Sequence, residues 1–235
     1  MRNAMNYDIV SFDLDGTLVD TAAEIAEAAN RALESHGIER REVAEVTRYI
    51  GHGTRELIKG LVAAAIAERP GLANTVRLAD VHASMDHHYA FTTGTLASPY
   101  PGARAALECL SAAGIKLACV TNKERRHARR VLEVTGLEPF FALTIGGDTL
   151  PRKKPDASVL RHVVDVLQGE VHRTAHVGDS SIDVEAARNA GVAAWAVPYG
   201  YNAGVPIAES NPQRIFPGLL QLAEYVTGRP LDGDA

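Results

Sequence analysis

From Ala103 to Val197 the chain alternates amphipathic segments with short apolar runs, and this alternation limits the available folds more than any other feature. The amphipathic segment Ala103 to Ala112 is followed by the run IKLACVT, the helical segment RRHARRVLEVTG and the short run FALTIGG. The helical segment DASVLRHVVDVL, the run RTAHVGD, the helical segment DVEAARNAG and the run AAWAV complete the series. Strands alternating with helices of this length build βαβ units, which place their strands side by side in a parallel sheet. A further apolar run, Ile9 to Phe12, precedes all of these.

Between that first strand and residue 93 the periodicity is helical throughout. Asp20 is positioned to cap a helix through AAEIAEAANRALESH that stops at Gly37. The segments TRELIKGLVAAAIAE and TVRLADVHASMDHHYAF continue with apolar and charged faces at helical spacing and no strand between them. The pattern changes at SPYPGA, and FPGLLQLAEYVTG reads as a last amphipathic helix before a polar tail to Ala235. The expected fold is therefore α/β. A Rossmann-like parallel sheet core takes residues 1–18 and 93–235, and an all-helical insertion, residues 19–92, follows the first strand.

Composition narrows the function classes. In 235 residues, 46% hydrophobic content is ample for a buried core, and a formal net charge of -5 gives no support to a nucleic-acid partner. Cys109 and Cys119 fall in a helix and a strand interior, so neither a disulfide framework nor a zinc site is expected. The start MRNAMNYD has no apolar signal region and no stretch is long enough to span a bilayer, which points to a cytoplasmic protein without a membrane partner. Met5 is an alternative first residue, and both a monomer and a homodimer are compatible with the chain.

Four polar clusters stand at the carboxyl ends of the expected strands, where open α/β sheets bind ligands. The first is Asp13-Leu14-Asp15-Gly16-Thr17. Residues two apart in a strand face the same side, so the two carboxylates repel unless a hard cation joins them, and Gly16 lets the backbone turn. The second is Thr121-Asn122, a hydroxyl followed by amides opening a helix, suited to an anion. The third is Lys154, with Pro155 at the first helical position to pin it near the sheet edge; Arg152 and Lys153 are expected in solvent. The fourth is Asp179 and Asp183, four apart and hence on one helix face. Each also has a local structural reading: an acidic turn, helix caps, a solvated lysine. Their recurrence at four strand ends favours a shared cleft.

Together these residues resemble the haloacid dehalogenase superfamily, whose hydrolases carry D-x-D-x-T, then Thr or Ser, then Lys before Pro, then G-D-x-x-x-D. The resemblance covers nearly the whole chain. It implies that Asp13 attacks phosphorus to form an aspartyl-phosphate and that Asp15 is the general acid and base. Mg2+ would be held by Asp13, the backbone carbonyl of Asp15 and Asp179, with Asp183 as an outer ligand or orienting group. Thr121, the backbone at Asn122, and Lys154 would grip the phosphoryl oxygens, while the insertion would be the family's helical cap.

Within the superfamily, FDLDGTLVDT, IGHGTREL, YPGA and GGDTLPRKKPD are most similar to the phosphoglycolate phosphatase branch, which implies a small phosphorylated metabolite as substrate. The cap loop Gly51-His52-Gly53 is then expected to meet the organic end, and Arg55 its carboxylate. Gly51 to Gly53 reads equally well as a flexed helix start, and Arg55 as an exposed residue of the second cap helix. The presence of Asp15 argues against the dehalogenase and phosphonate-hydrolase branches, and Ile25 against the mutases, which carry a histidine there. Pyrophosphate, an amino-sugar phosphate or another short-chain phosphate are alternative substrates. A phospho-receiver or binding module is the alternative class, against which the large insertion argues. The histidines of DHHY are expected on the cap surface, KERRHARR as a solvated helix face, and Trp195 in the core.

Overall fold

The protein is described by a computed structural model over residues 7–231. Met5 as a first residue and the end of the polar tail fall outside the described residues. The chain begins with β1 (Ile9–Phe12) and β2 (Val19–Asp20), followed by the helices α1 (Ala22–Ser35), α2 (Val43–Val46), α3 (Thr54–Glu68) and α4 (Leu78–Thr92). It continues through β3 (Ser98–Pro99), α5 (Ala103–Ala112), β4 (Lys116–Val120), α6 (Arg125–Val134), β5 (Leu143–Ile145) and α7 (Ala157–Val166). The last elements are β6 (Thr174–Gly178), α8 (Ser181–Ala190), β7 (Ala193–Ala196), β8 (Arg214–Ile215) and α9 (Leu219–Thr227).

Six strands form a parallel sheet in the order β5-β4-β1-β6-β7-β8. All four residues of β1 are buried, as a central strand covered on both faces requires. Val10 and Phe12 point into one core with Leu117, Cys119, Trp195 and residues of α5, α6 and α9. Ile9 points into the other with Ala118, Val120, Ala194 and residues of α7 and α8. Trp195 is buried in the first of these cores, edge-on to Tyr7, Phe216 and Tyr225. Both cysteines are free. Phe12 lies opposite Cys119 on one neighbour and Val177 on the other, so the carboxyl ends of β4, β1 and β6 finish level and their following loops share one edge.

The helices α1, α3 and α4 enclose a third core of their own, including Ile25, Leu33, Ile58, Leu61, Met85 and Tyr89. The chain crosses between the two parts beside the antiparallel ribbon β2-β3, where Val19 pairs with Pro99. Neither this ribbon nor β8 is foreseen from sequence, because two-residue strands carry no periodicity. Two helix starts also differ from expectation. The N-cap of α1 is Thr21, with Asp20 reaching past it to accept the Ala22 amide at 3.1 Å. The start of α7 is set by Asp156, whose carboxylate accepts the Ser158 amide, and Pro155 lies before the helix rather than in it. Among the described residues no helix is long and apolar enough to cross a membrane.

Candidate active site

Asp13 leaves β1 with its amide donating to the carbonyl of Val177 at 2.8 Å, which fixes it at the sheet edge. Its Oδ1 accepts the Leu14 amide at 2.8 Å and lies 3.0 Å from Nζ of Lys154. Among the described residues no donor takes Oδ2. Burial pushes the Asp13 carboxyl up, Lys154 pulls it back, and the charges of Asp183 and Asp15 add to the rise, leaving it at about 6. Gly16 makes the turn at φ +84°, and a Cβ there would stand 2.3 Å from Oδ2 of Asp179, so only glycine permits this approach.

Asp179 ends the neighbouring strand. Its Oδ1 accepts the hydroxyl of Thr17 at 2.7 Å and its Oδ2 the amide of Tyr201 at 2.5 Å. Burial and the carboxylates of Asp183 and Asp13 push its pKa well up, against those two donors. Asp183 sits on the first turn of α8, which begins at Ser181, so Asp179 precedes the helix. The two converge because the strand-to-helix turn folds back, not because they share a helix face. Asp183 Oδ2 accepts the amide and hydroxyl of Ser180, and its Oδ1 accepts Nζ of Lys154 at 2.6 Å and lies 3.3 Å from Nε2 of His176. Burial opposes its charge, yet Lys154 and His176 hold its carboxyl far below the usual range.

Asp13, Asp179 and Asp183 therefore bring buried carboxylate oxygens within 4.8 Å of one another. At that separation each pair repels by about 3 kcal/mol at an effective dielectric of about 20. The ammonium of Lys154, 2% exposed, reaches only Asp13 and Asp183. Three buried anions against one cation, with Asp179 pushed toward protonation, form a donor set that fits a hard divalent cation. The carboxylate of Asp15 stands outside this set.

Asp15 is held from another side. Its Oδ1 accepts the hydroxyl of Thr21 at 2.6 Å and Nζ of Lys123 at 2.8 Å, leaving Oδ2 without a protein donor among the described residues. Sequence reading missed Lys123 by placing all of KERRHARR in solvent. Arg125, Arg126, Arg129 and Arg130 are exposed, but Lys123 is 4% exposed and also donates to the hydroxyl of Tyr89. Burial works against its charge; Asp15 and Tyr89 more than offset this and keep it protonated. The available signal was its place two residues after Thr121, in the turn that follows the strand.

Thr121 and Asn122 follow β4. The Thr121 hydroxyl accepts the Lys123 amide at 3.2 Å, and Nδ2 of Asn122 donates to the carbonyls of Gly51 and Lys154 at 3.0 and 2.9 Å. Asn122 thus joins the cap loop to the lysine loop. Further contacts between the two parts run from Thr54 to Glu124 at 2.6 Å and from Nζ of Lys153 to the carbonyl of His52 at 2.5 Å. Lys153 is exposed, as expected, but not idle. Beneath these contacts lies a cavity of about 30 Å³, lined by Asp13, Asp15, Thr121 and Lys123 below and by Ile25, Ile50, Gly51, Gly53 and Leu57 above.

Of the expected cap residues, Gly51 and Gly53 line the cavity. His52 and Arg55 are exposed and do not, with Arg55 lying near His82. The histidines of DHHY divide as foreseen: His87 is exposed and His88 partly so, and neither faces the cavity.

Comparison with known proteins agrees with this arrangement. Residues 10–197 match the family of haloacid dehalogenase-like hydrolases. A phosphoglycolate phosphatase of Cupriavidus necator is 41% identical over 192 residues, 82% of this chain and 81% of that protein. One of Vibrio cholerae is 37% identical over 218 residues, 93% and 96% of the two chains. The crystal structure of a predicted phosphoglycolate phosphatase from Haemophilus somnus superimposes with a TM-score of 0.86 at 30% identity, covering 93% of this chain and 97% of that one.

Proposed function

The chain belongs to the haloacid dehalogenase-like hydrolase family, and from that premise we propose that it is a Mg2+-dependent phosphatase that hydrolyses 2-phosphoglycolate to glycolate and phosphate. The observation that carries the mechanism is the complementary placement of two carboxylates. Among the described residues Oδ2 of Asp13 and Oδ2 of Asp15 are each left without a protein donor, while fixed cations occupy both Oδ1 atoms.

Oδ2 of Asp13 attacks phosphorus as the bond to the leaving alcohol breaks, and Asp15 gives that alcohol its proton. Water then attacks the aspartyl-phosphate, Asp15 takes the water's proton, and phosphate leaves with Asp13 restored. Lys154, the Thr121 hydroxyl and the backbone at Asn122 hold the equatorial oxygens, where most of the acceleration of phosphoryl transfer arises. Asp13 and Asp179 would hold Mg2+ with the backbone carbonyl of Asp15, and Asp183, all of whose contacts are already to protein, would orient Lys154. The cation supplies charge neutralisation at the phosphoryl group.

Residues 19–92 act as the cap, which excludes bulk water when closed. Among the residues lining the cavity Lys123 is the one cation. We assign the substrate's carboxylate to Lys123 and to the loop Gly51 to Gly53, with the exposed Arg55 outside the pocket. The names and lengths of the relatives support phosphoglycolate. Phosphate release from 2-phosphoglycolate, beside pyrophosphate and an amino-sugar phosphate, tests this; preference for either comparator overturns the substrate assignment.

A further inference from the structure

Tyr201 lies in the loop after β7, far in sequence from every motif above, yet it touches three parts of the site at once. Its backbone amide donates to Oδ2 of Asp179 at 2.5 Å. Its phenol oxygen accepts the amides of Thr21 and Ala22, at 3.0 and 3.1 Å, and donates its own proton to Oδ1 of Asp20. Those amides open α1, the first cap helix, and Asp20 belongs to the ribbon beside which the chain passes between core and cap. Thr21, held by this phenol through its amide, donates its hydroxyl to Oδ1 of Asp15. Close packing leaves this loop little freedom: a Cβ on Gly200 would stand 2.3 Å from Cβ of Asp179 and from the carbonyl oxygen of Gly16.

We propose that Tyr201 is a positioning residue that links the cation ligand Asp179 to the cap hinge, so that cation binding and the closed hinge favour each other. The proposal rests on the cation site described under the proposed function. The physical argument is linkage. The amide of Tyr201 stays fixed only while Asp179 is a well-placed carboxylate, and a cation ordering Asp179 orders the loop. An ordered loop presents the phenol to amides that have no partner within the helix, since the first turn's N–H groups are orphaned. Displacement of the hinge breaks those same bonds, and by reciprocity it must weaken the cation's hold.

Tyr201→Phe removes the phenol oxygen and keeps the amide on Asp179. The measurement is hydrogen exchange of the segment 19–24, with and without saturating Mg2+, beside calorimetric Mg2+ binding, both on the full chain. In the wild type, Mg2+ should slow exchange there by about tenfold or more, the ordinary scale of coupling between sites. In Tyr201→Phe that protection should vanish while Mg2+ still binds, with a Kd within about tenfold of wild type. Equal Mg2+ protection in both proteins, or protection in neither despite Mg2+ binding, overturns the link. Absence of Mg2+ binding to the wild type removes the cation site itself, and the link with it. Should Tyr201→Phe unfold, a Mg2+ titration of the wild type decides: the Tyr201 amide and the segment 19–24 should gain protection together with one midpoint, and protection at Tyr201 without protection at 19–24 overturns the proposal.

Discussion

The ammonium of Lys123 lies 2.8 Å from Oδ1 of Asp15, with both side chains nearly sealed from solvent. It also sits 4.9 Å from the ring centre of Tyr89, which α4 lowers from the cap. One lysine therefore touches both the proposed acid and helix α4. Removing one partner of such a pair leaves a buried charge uncompensated, which is costly. Lys123 and the Thr21 hydroxyl together hold Oδ1 of Asp15, and the hydroxyl of Tyr89 takes a further proton of the same ammonium.

Lys123→Met should lower kcat/KM on 2-phosphoglycolate by roughly a hundredfold, the scale of losing a buried charge that acts on the reacting groups. The loss should be smaller on a phosphate ester lacking the carboxylate. Arg55→Ala should change either substrate by less than about threefold, since an exposed charge is screened. Steady-state kinetics of both variants on both esters check this, and the opposite ranking would return the carboxylate to Arg55.

Lys154→Ala should lower kcat/KM by at least roughly a hundredfold, about 3 kcal/mol of transition-state charge stabilisation. Lys153, exposed and bonded only to the carbonyl of His52, should cost less than about fivefold when changed to Ala, because such surface contacts contribute little. If Lys153 proves the more damaging of the two, the assignment of the phosphate-binding lysine is wrong.

Stripping metal with EDTA should stop turnover, and Mg2+ should restore it. Ca2+ should bind and inhibit, because it accepts longer bonds and more ligands than an octahedral Mg2+ site that positions an in-line attack. Turnover by the stripped enzyme at the wild-type rate would contradict the reading of the Asp13, Asp179 and Asp183 cluster.

His127 gives a stability prediction. Its Nδ1 lies 2.8 Å from the hydroxyl of Thr93, whose own proton goes to the carbonyl of Tyr89, and among the described residues its buried Nε2 makes no hydrogen bond. Burial, then the charges of Arg126 and Lys123, push its pKa down to about 4. The unfolded chain titrates this group near pH 6.5. Between about pH 6.5 and 4 the unfolded state takes up a proton that the native state refuses, so this group costs stability progressively as pH falls through that window. Thermal unfolding of wild type and His127→Gln in Mg2+, from pH 7 to 4, should show a smaller fall of Tm in the variant; a parallel fall would show that His127 is not buried neutral.

The edge of the sheet that carries the candidate site is legible from sequence because Asp13, Thr121 and Asp179 each follow an apolar run, and level strand ends bring their loops together. What escapes sequence is whatever depends on tertiary burial. Lys123 sits at the head of a run of exposed arginines, and only packing under Tyr89 distinguishes it. Tyr201 stands 22 residues from Asp179 and 180 from Thr21, with no periodicity linking them. Arg55 shows the same limit from the other side: its chemistry suits a carboxylate, yet in the first turn of α3 it is exposed and does not line the cavity.

The central claim is that Asp13 carries the phosphoryl group. Rapid quenching in acid during steady-state turnover of 2-phosphoglycolate, followed by proteolysis and mass spectrometry, reads this directly. The account predicts a phosphoryl group on Asp13 in the wild type that accumulates when Asp15→Asn slows its hydrolysis. Asp13→Asn should show neither phosphorylation nor activity, with thermal unfolding that remains cooperative. Turnover that proceeds with Asp13 never phosphorylated, or an Asp13→Asn enzyme within tenfold of wild-type activity, would contradict it.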